Sequence, residues 1–182
     1  MLSEIEKIVK NTPLNLNEDD IFNFLKIKKR WPIKYYNEQP TIEIINQLGN
    51  KIFNFFDVSG YLNFYEWKKI YDLGFTSIIS NILDLNEDLR NLNKKIKKEI
   101  GNDVNANFYV NNDNNFKKKS SFDLHNHNYD VIVKQIYGNS LWKIDDLEQW
   151  IYPNDVIIIK KCTNHQVLKT ENKRLSLTIN IK

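Results

Sequence analysis

Two spacings of apolar residues divide the chain. Up to Ile100 they mostly recur at helical intervals. From Val104 onward they alternate in short, β-branched runs. Leu2 to Lys10 forms an amphipathic pattern. Asn17-Glu18-Asp19-Asp20 supplies a helix start that Ile21 to Lys28 continues. Pro40-Thr41 opens a further helix with Thr41 as N-cap, and Ile42, Ile44, Ile45 and Leu48 mark its buried face. Lys51 to Val58 has the pattern of a strand. Phe64 to Leu73 is helical and ends at Gly74; Asn86 to Ile100, the longest helical pattern, ends at Gly101. After the strand Val104 to Val110 comes a polar loop, residues 111–120, in which only Phe116 is apolar. Strands then follow at Ser121 to His125, Tyr129 to Tyr137, Ser140 to Ile144, Asp155 to Lys160, Gln166 to Thr170 and Arg174 to Ile181. Gly138-Asn139, Pro153-Asn154 and Glu171-Asn172-Lys173 separate them. So many short strands in about 80 residues predict a small antiparallel barrel or jelly roll. With no repeat and no Gly/Ser linker, the helical region 1–103 is expected to pack outside a barrel of residues 104–182, in one α+β domain.

A chain of 182 residues suits one domain, and 41% hydrophobic with 27% charged residues suits a soluble globular one. No apolar run approaches the ~20 residues of a membrane helix. The opening MLSEIEKIVK has no signal-peptide stretch, so no membrane association and a cytoplasmic setting are expected. A net charge of +3 argues against a nucleic-acid partner. The basic runs Lys94-Lys95-Ile96-Lys97-Lys98 and Lys117-Lys118-Lys119 are expected to be solvated surface. Cys162, the single cysteine, allows neither an internal disulfide nor a thiolate cluster.

The candidate chemistry lies in three histidines. In His125-Asn126-His127 the i, i+2 spacing puts both imidazoles on one face if this stretch is a strand, as two ligands of one metal require. His165 follows a turn and an apolar strand. By itself, His-x-His is equally well a surface loop.

Order and spacing go further. Val104-Asn105-Ala106-Asn107-Phe108-Tyr109 comes first. His125-Asn126-His127-Asn128-Tyr129-Asp130-Val131-Ile132-Val133-Lys134-Gln135 follows, with Gly138 and Trp142 at matching offsets. Then come Pro153-Asn154-Asp155-Val156, His165 and Leu175-Ser176-Leu177-Thr178-Ile179. From about residue 70 onward the chain resembles the JmjC-type cupins, in particular the ribosomal-oxygenase branch. Gly74 to Gly101 resembles that family's strand and helix before the barrel. The resemblance implies a cupin-type (double-stranded β-helix, jelly-roll) barrel and one metal on His125, His127 and His165. Fe(II) is the expected ion, with Zn, Mn, Ni or Cu as chemically open choices. It also implies a non-haem oxygenase that uses 2-oxoglutarate and acts on a side chain or small molecule. The family's dimerisation and winged-helix regions are not matched here, so no dimer is expected from the resemblance and the oligomeric state is left open.

Two departures bear on the chemistry. His127 stands where the family has a carboxylate, which makes three neutral ligands and leaves the ion its full charge. Ser140 stands where the family has the Lys or Arg that pairs with the far carboxylate of 2-oxoglutarate. Lys134 has the wrong strand parity to replace that cation and is expected to point outwards. Arg174 is the better replacement. Arg174-Leu175-Ser176 resembles the Arg-x-Ser arrangement with which another 2-oxoglutarate oxygenase branch holds the co-substrate. The plain alternative is that Arg174, Ser176, Thr178 and Asn180 are only the wet face of the last strand.

Asn107 and Tyr109 share a strand face and are placed to hydrogen-bond an acid, unless Asn105 or Asn107 serves a turn and Tyr109 the core. Gln135 either orients a ligand or is a buried glutamine bonded to backbone. Asp130 is expected to be structural and Cys162 to pack. Trp142 and Trp150 either wall the pocket or belong to the core. The competing functions are a three-histidine dioxygenase, isomerase or lyase without 2-oxoglutarate, and a non-catalytic metal-binding module. The expected partner is a small-molecule or peptide substrate.

Overall fold

A computed structural model describes residues 1–27, 42–46, 49–52, 54–102, 104–113 and 122–182. Four helices and eight strands are present among them. Their order is α1 (Leu2–Asn11), α2 (Glu18–Ile27), β1 (Ile42–Ile45), β2 (Lys51–Ile52), α3 (Phe64–Asp72), β3 (Thr76–Ser80), α4 (Glu87–Ile100), β4 (Asn105–Asp113), β5 (Asp130–Ile144), β6 (Leu147–Ile151), β7 (Val156–Ile159) and β8 (His165–Ile181). No helix among the described residues is long and apolar enough to cross a membrane.

Local chemistry accounts for the helix ends. Asn17 and Asp20 satisfy each other's backbone N–H groups ahead of α2, at 3.0 and 2.8 Å. Asn63 caps α3 and Asn86 caps α4. Lys94, Lys95, Lys97 and Lys98 lie exposed on α4, while Ile96 is buried. Lys117 to Lys119 lie outside the described residues.

The strands run antiparallel in the order β2-β1-β3-β4-β8-β5-β6, and β7 pairs with the first half of β5. β8 is central, pairing with β4 on one side and with the whole of β5 on the other. Alternation along β8 sorts its side chains between two environments. Leu175, Leu177, Ile179 and Ile181 join the main core beneath the helices. Arg174, Ser176, Thr178 and Asn180 face a cavity inside the barrel. On β5, Ile132 joins the helix-side core, while Val131 and Val133 form a smaller barrel cluster with Trp142, Ile151, Ile159 and Val167.

Several expectations are corrected. Ile42–Ile45 is not helical but strand β1, paired with β3; its three β-branched isoleucines are all buried by that pairing. The proposed cap and Leu48 lie outside the described residues. The strand expected over Lys51 to Val58 is confined to Lys51–Ile52. Beyond it Phe56 makes a single bridge to Leu62, and the Asp57 carboxylate holds a turn through the N–H groups of Ser59 and Tyr61. The helical region 1–103 thus also contributes strands β1 to β3. In the second half, two expected breaks do not separate strands. Gly138 (φ 72°) and Asn172 (φ 62°) sit inside β5 and β8, where Asn139 pairs with Glu171. Facing each other, the two irregularities bend both long strands together. β6, which pairs with Ser140–Ile144, had no sequence signal.

Lys134 points away from the cavity, as parity requires, but it is not solvated. Only 2% exposed, it lies under the end of α1. Its ammonium donates to the carbonyls of Thr12 (2.7 Å), Val9 (2.9 Å) and Lys10 (3.5 Å), groups a helix C-terminus otherwise leaves unpaired. Burial lowers its pKa. Lys134→Met should therefore lower the urea midpoint by the equivalent of about 2–3 kcal/mol, because charged hydrogen bonds are lost and buried carbonyls are left bare. Metal stoichiometry should not change. Cys162 does not pack as expected: it is exposed, at φ 63°.

Candidate metal and acid-binding site

The three histidines come together, although His125 to His127 is not a strand. His125 makes an isolated antiparallel bridge with His165: the two exchange backbone hydrogen bonds of 3.2 and 2.8 Å. The His127 carbonyl accepts from Cys162 N–H at 2.7 Å, so the irregular segment is pinned at both ends. The ring centroids of the trio lie 4.5–5.1 Å apart, and one ligand atom from each falls within 4.8 Å of the others. Donors on a single ion at about 2.0–2.1 Å stand about 3–4 Å apart, so small side-chain adjustments close the set. His125 Nδ1 lies 2.7 Å from the Asp123 carbonyl and His165 Nδ1 lies 3.0 Å from that of Thr163. A carbonyl only accepts, so each Nδ1 carries the proton and each Nε2 keeps a free lone pair. His127 stacks on Tyr129 at 4.9 Å and 6°. The donor set fits one divalent ion.

Burial, then the proximity of His125 and His165, lowers the pKa of His127 to about 4, and burial also lowers that of His165. A lowered pKa keeps the ligating, neutral form present further into acid. Three unshifted imidazoles would lose roughly thirtyfold in apparent metal affinity between pH 7 and pH 6. With His127 held neutral across that range and His165 shifted the same way, this site should lose clearly less, as read by Zn(II) competition titrations at the two pH values.

A cavity of about 60 Å³ runs from the histidines into the barrel, past Asn107, Tyr109 and Ser176 to Arg174. Arg174 is 1% exposed, and its Nε and one terminal nitrogen have no hydrogen-bond partner. Its guanidinium carbon lies 6.0 Å from the Tyr109 ring. Burial lowers its pKa to about 10, partly offset by Tyr109, so it is still a cation at neutral pH. Burial raises Tyr109 to about 12. No Asp or Glu lines this cavity among the described residues. An unpaired buried cation is costly and calls for an anion.

The other candidates divide. Asn107 and Tyr109 line the cavity, and Asn107 Oδ1 is buried without a partner. Gln135 does not line it. It lies behind Ser176 and accepts that hydroxyl's proton at 2.7 Å. Ser140 donates to Gln135 at 3.3 Å and accepts from Trp142 at 3.0 Å. Trp142 lines the cavity; Trp150 does not, and carries Lys169 over its ring. Asp130 is structural, accepting Lys161 N–H at 2.8 Å. Sequence reasoning missed Tyr129 under His127, although its i+2 spacing was a usable signal. It also missed an outer vestibule of about 540 Å³ whose walls include Glu43, Ser80, Asn81 and Lys182.

No family model matches the sequence, and no curated protein matches it. Solved structures do. A cupin superfamily protein from Desulfitobacterium hafniense is 17% identical over 43% of this chain and 66% of that one, with a TM-score of 0.38. YcfD, a ribosomal oxygenase from Escherichia coli, gives a TM-score of 0.65 at 11% identity, over 94% of this chain and 45% of that one. YcfD in complex with cobalt and succinic acid gives 0.63 at 12% identity, again over 94% and 45%. The chain thus spans less than half the length of YcfD. At such identities the likeness concerns the fold: with the antiparallel barrel described above, the chain is an α+β protein of the cupin jelly-roll type.

Proposed function

We propose that this protein is a metal-dependent oxygenase of the JmjC-like cupin type. In this reading Fe(II) sits on His125, His127 and His165, and an organic acid is held on Arg174. The observation that carries it is the unpaired, 1%-exposed Arg174 in the same cavity as the three histidines. The bound metal supplies an open coordination position and the redox chemistry that O₂ requires. The chain's own residues do the rest. The Asp123 and Thr163 carbonyls hold the His125 and His165 rings in their ligating tautomer. Arg174 neutralises a carboxylate at the deep end of the cavity, with the Tyr109 ring against it. Phe122 and Tyr129 give the mouth an aromatic rim that limits water. The side chain or small molecule to be oxidised enters by the polar vestibule.

The first acid to test is 2-oxoglutarate; a protein of similar fold, YcfD, has been solved with cobalt and succinic acid. Anaerobic Fe(II) titration with 2-oxoglutarate should give a visible charge-transfer band, and Arg174→Ala should weaken acid binding at least about tenfold. Iron binding with no band at millimolar 2-oxoglutarate would sink the keto-acid form of the proposal. The second reading, a three-histidine dioxygenase, isomerase or lyase without 2-oxoglutarate, draws on Ser140, which is buried and engaged with Gln135 and Trp142. Absence of O₂ consumption with every acid tried would leave an isomerase or lyase, or the non-catalytic module.

A further inference from the structure

The layer behind the cavity fixes the direction of its hydrogen bonds. Gln135 Nε2 donates to the carbonyls of Tyr137 and Gly138, both at 2.9 Å. Turning the amide round would set its oxygen against two carbonyl oxygens, so Oε1 must face the other way. There it meets the hydroxyls of Ser176 at 2.7 Å and Ser140 at 3.3 Å, and an amide oxygen only accepts. Ser176 has one proton, and it is committed away from the cavity. Ser176 therefore offers the cavity lone pairs alone. Thr178 repeats the arrangement, with its hydroxyl donating to the Asn107 main-chain carbonyl at 3.3 Å. Asn107 Oδ1, buried and unpartnered, is a third acceptor. The cavity thus joins one cation, Arg174, to a wall of lone pairs on Ser176 and Thr178, while the Tyr109 hydroxyl and the Asn107 and Asn180 amides elsewhere in its lining can also donate.

An oxo group placed beside a carboxylate on Arg174 would set its own lone pairs against that wall. A hydroxyl in the same place would donate to it. An ammonium would also donate, but Arg174 and a bound metal both repel it. At about 60 Å³ the cavity is small, which suits a compact acid. We infer that the natural ligand of this cavity is a small hydroxy acid whose hydroxyl neighbours the carboxylate on Arg174 and donates to Ser176. This rests on the reading that Arg174 holds an organic anion, and it specifies which one.

The test uses the full chain, with and without Zn(II), a redox-inert ion. Calorimetric titrations compare lactate (both enantiomers) with pyruvate, and 2-hydroxyglutarate with 2-oxoglutarate. The better-bound lactate enantiomer should bind about tenfold more tightly than pyruvate, the size expected for one satisfied against one opposed hydrogen bond. Ser176→Ala should bring that pair within about twofold by weakening the hydroxy acid alone. Gln135→Met frees the Ser176 proton to turn inward, so it should strengthen pyruvate binding; a merely structural role for Gln135 would not produce that gain. Pyruvate binding as tightly as lactate, or a ratio unmoved by Ser176→Ala, would overturn the inference and leave the anion site standing. If no acid of either pair binds in any state, the anion reading of Arg174 falls with it.

Discussion

Replacing His165 by alanine should cost about two orders of magnitude in affinity for a divalent metal. His165 is the most enclosed of the three ligands, 5% exposed. Its tautomer is set by the Thr163 carbonyl, and its ring lies near-parallel to Trp142 at 6.4 Å. Structural zinc sites gain roughly 10–16 kcal/mol from four such ligands, so one ligand is worth about 3 kcal/mol or more. Two histidines left on an irregular segment should not hold an ion through dialysis. The backbone pair between His125 and His165 does not use the imidazole, so the barrel should remain folded. Metal content per chain after dialysis, measured by elemental analysis, decides the matter. One ion retained per chain would remove the three-histidine site from consideration.

Gly138→Ala should be the most destabilising single methyl that can be added to the barrel. A Cβ at this position would lie 1.9 Å from the Lys173 carbonyl oxygen and 3.1 Å from the Arg174 Cα, both backbone atoms that cannot swing aside. The residue also sits at φ 72°. Gly101 provides the comparison: φ is 78°, but nothing lies within 4 Å of its Cβ position. Gly101→Ala should therefore cost only the left-handed backbone term, about 1 kcal/mol. Gly138→Ala adds to that term a backbone collision and should lose about 4 kcal/mol in urea denaturation, a large share of a typical domain's stability. Because the collision falls beside Arg174, acid binding should weaken as well. Equal losses in the two variants would show that β5 and β8 part easily at this bend.

Much of this site could be read along the chain. Alternation over Arg174 to Ile181 gave both faces of β8 correctly, and the wet face proved to be the interior of the barrel. The spacing of His125 and His127 pointed to converging rings, which the structure has, but for a reason that does not hold. They converge because a bridge to His165 and a bond from Cys162 pin an irregular segment, not because a strand alternates. Gly138 and Asn172 were recognised as breaks; that they face each other depends on the register of two distant strands, which no local pattern contains. Lys134 shows the same limit. Its parity was legible, but the α1 carbonyls that bury it lie more than a hundred residues away in sequence. Ile42 to Ile45 can satisfy a helical or an extended pattern, and pairing with β3 decides between them. The vestibule wall around Glu43 and Asn81 depends on that same pairing.

The central place of β8 also dictates an order of assembly. β5 and β8 are closest in sequence where Ile144 meets His165 and furthest apart where Asp130 meets Ile181, so they can zip from one end like a long hairpin. β4 can pair with β3 early, but it cannot join the β5–β8 ribbon until β8 is in place, since β8 separates it from β5. Pairings this distant should make refolding slow, in the millisecond-to-second range of sheets built from non-local contacts. His165 is then in position early, whereas Asn107 and Tyr109 arrive with β4. A metal ion present during refolding would act on an intermediate that already holds its ligands, so it should accelerate closure of the barrel as well as slow its opening.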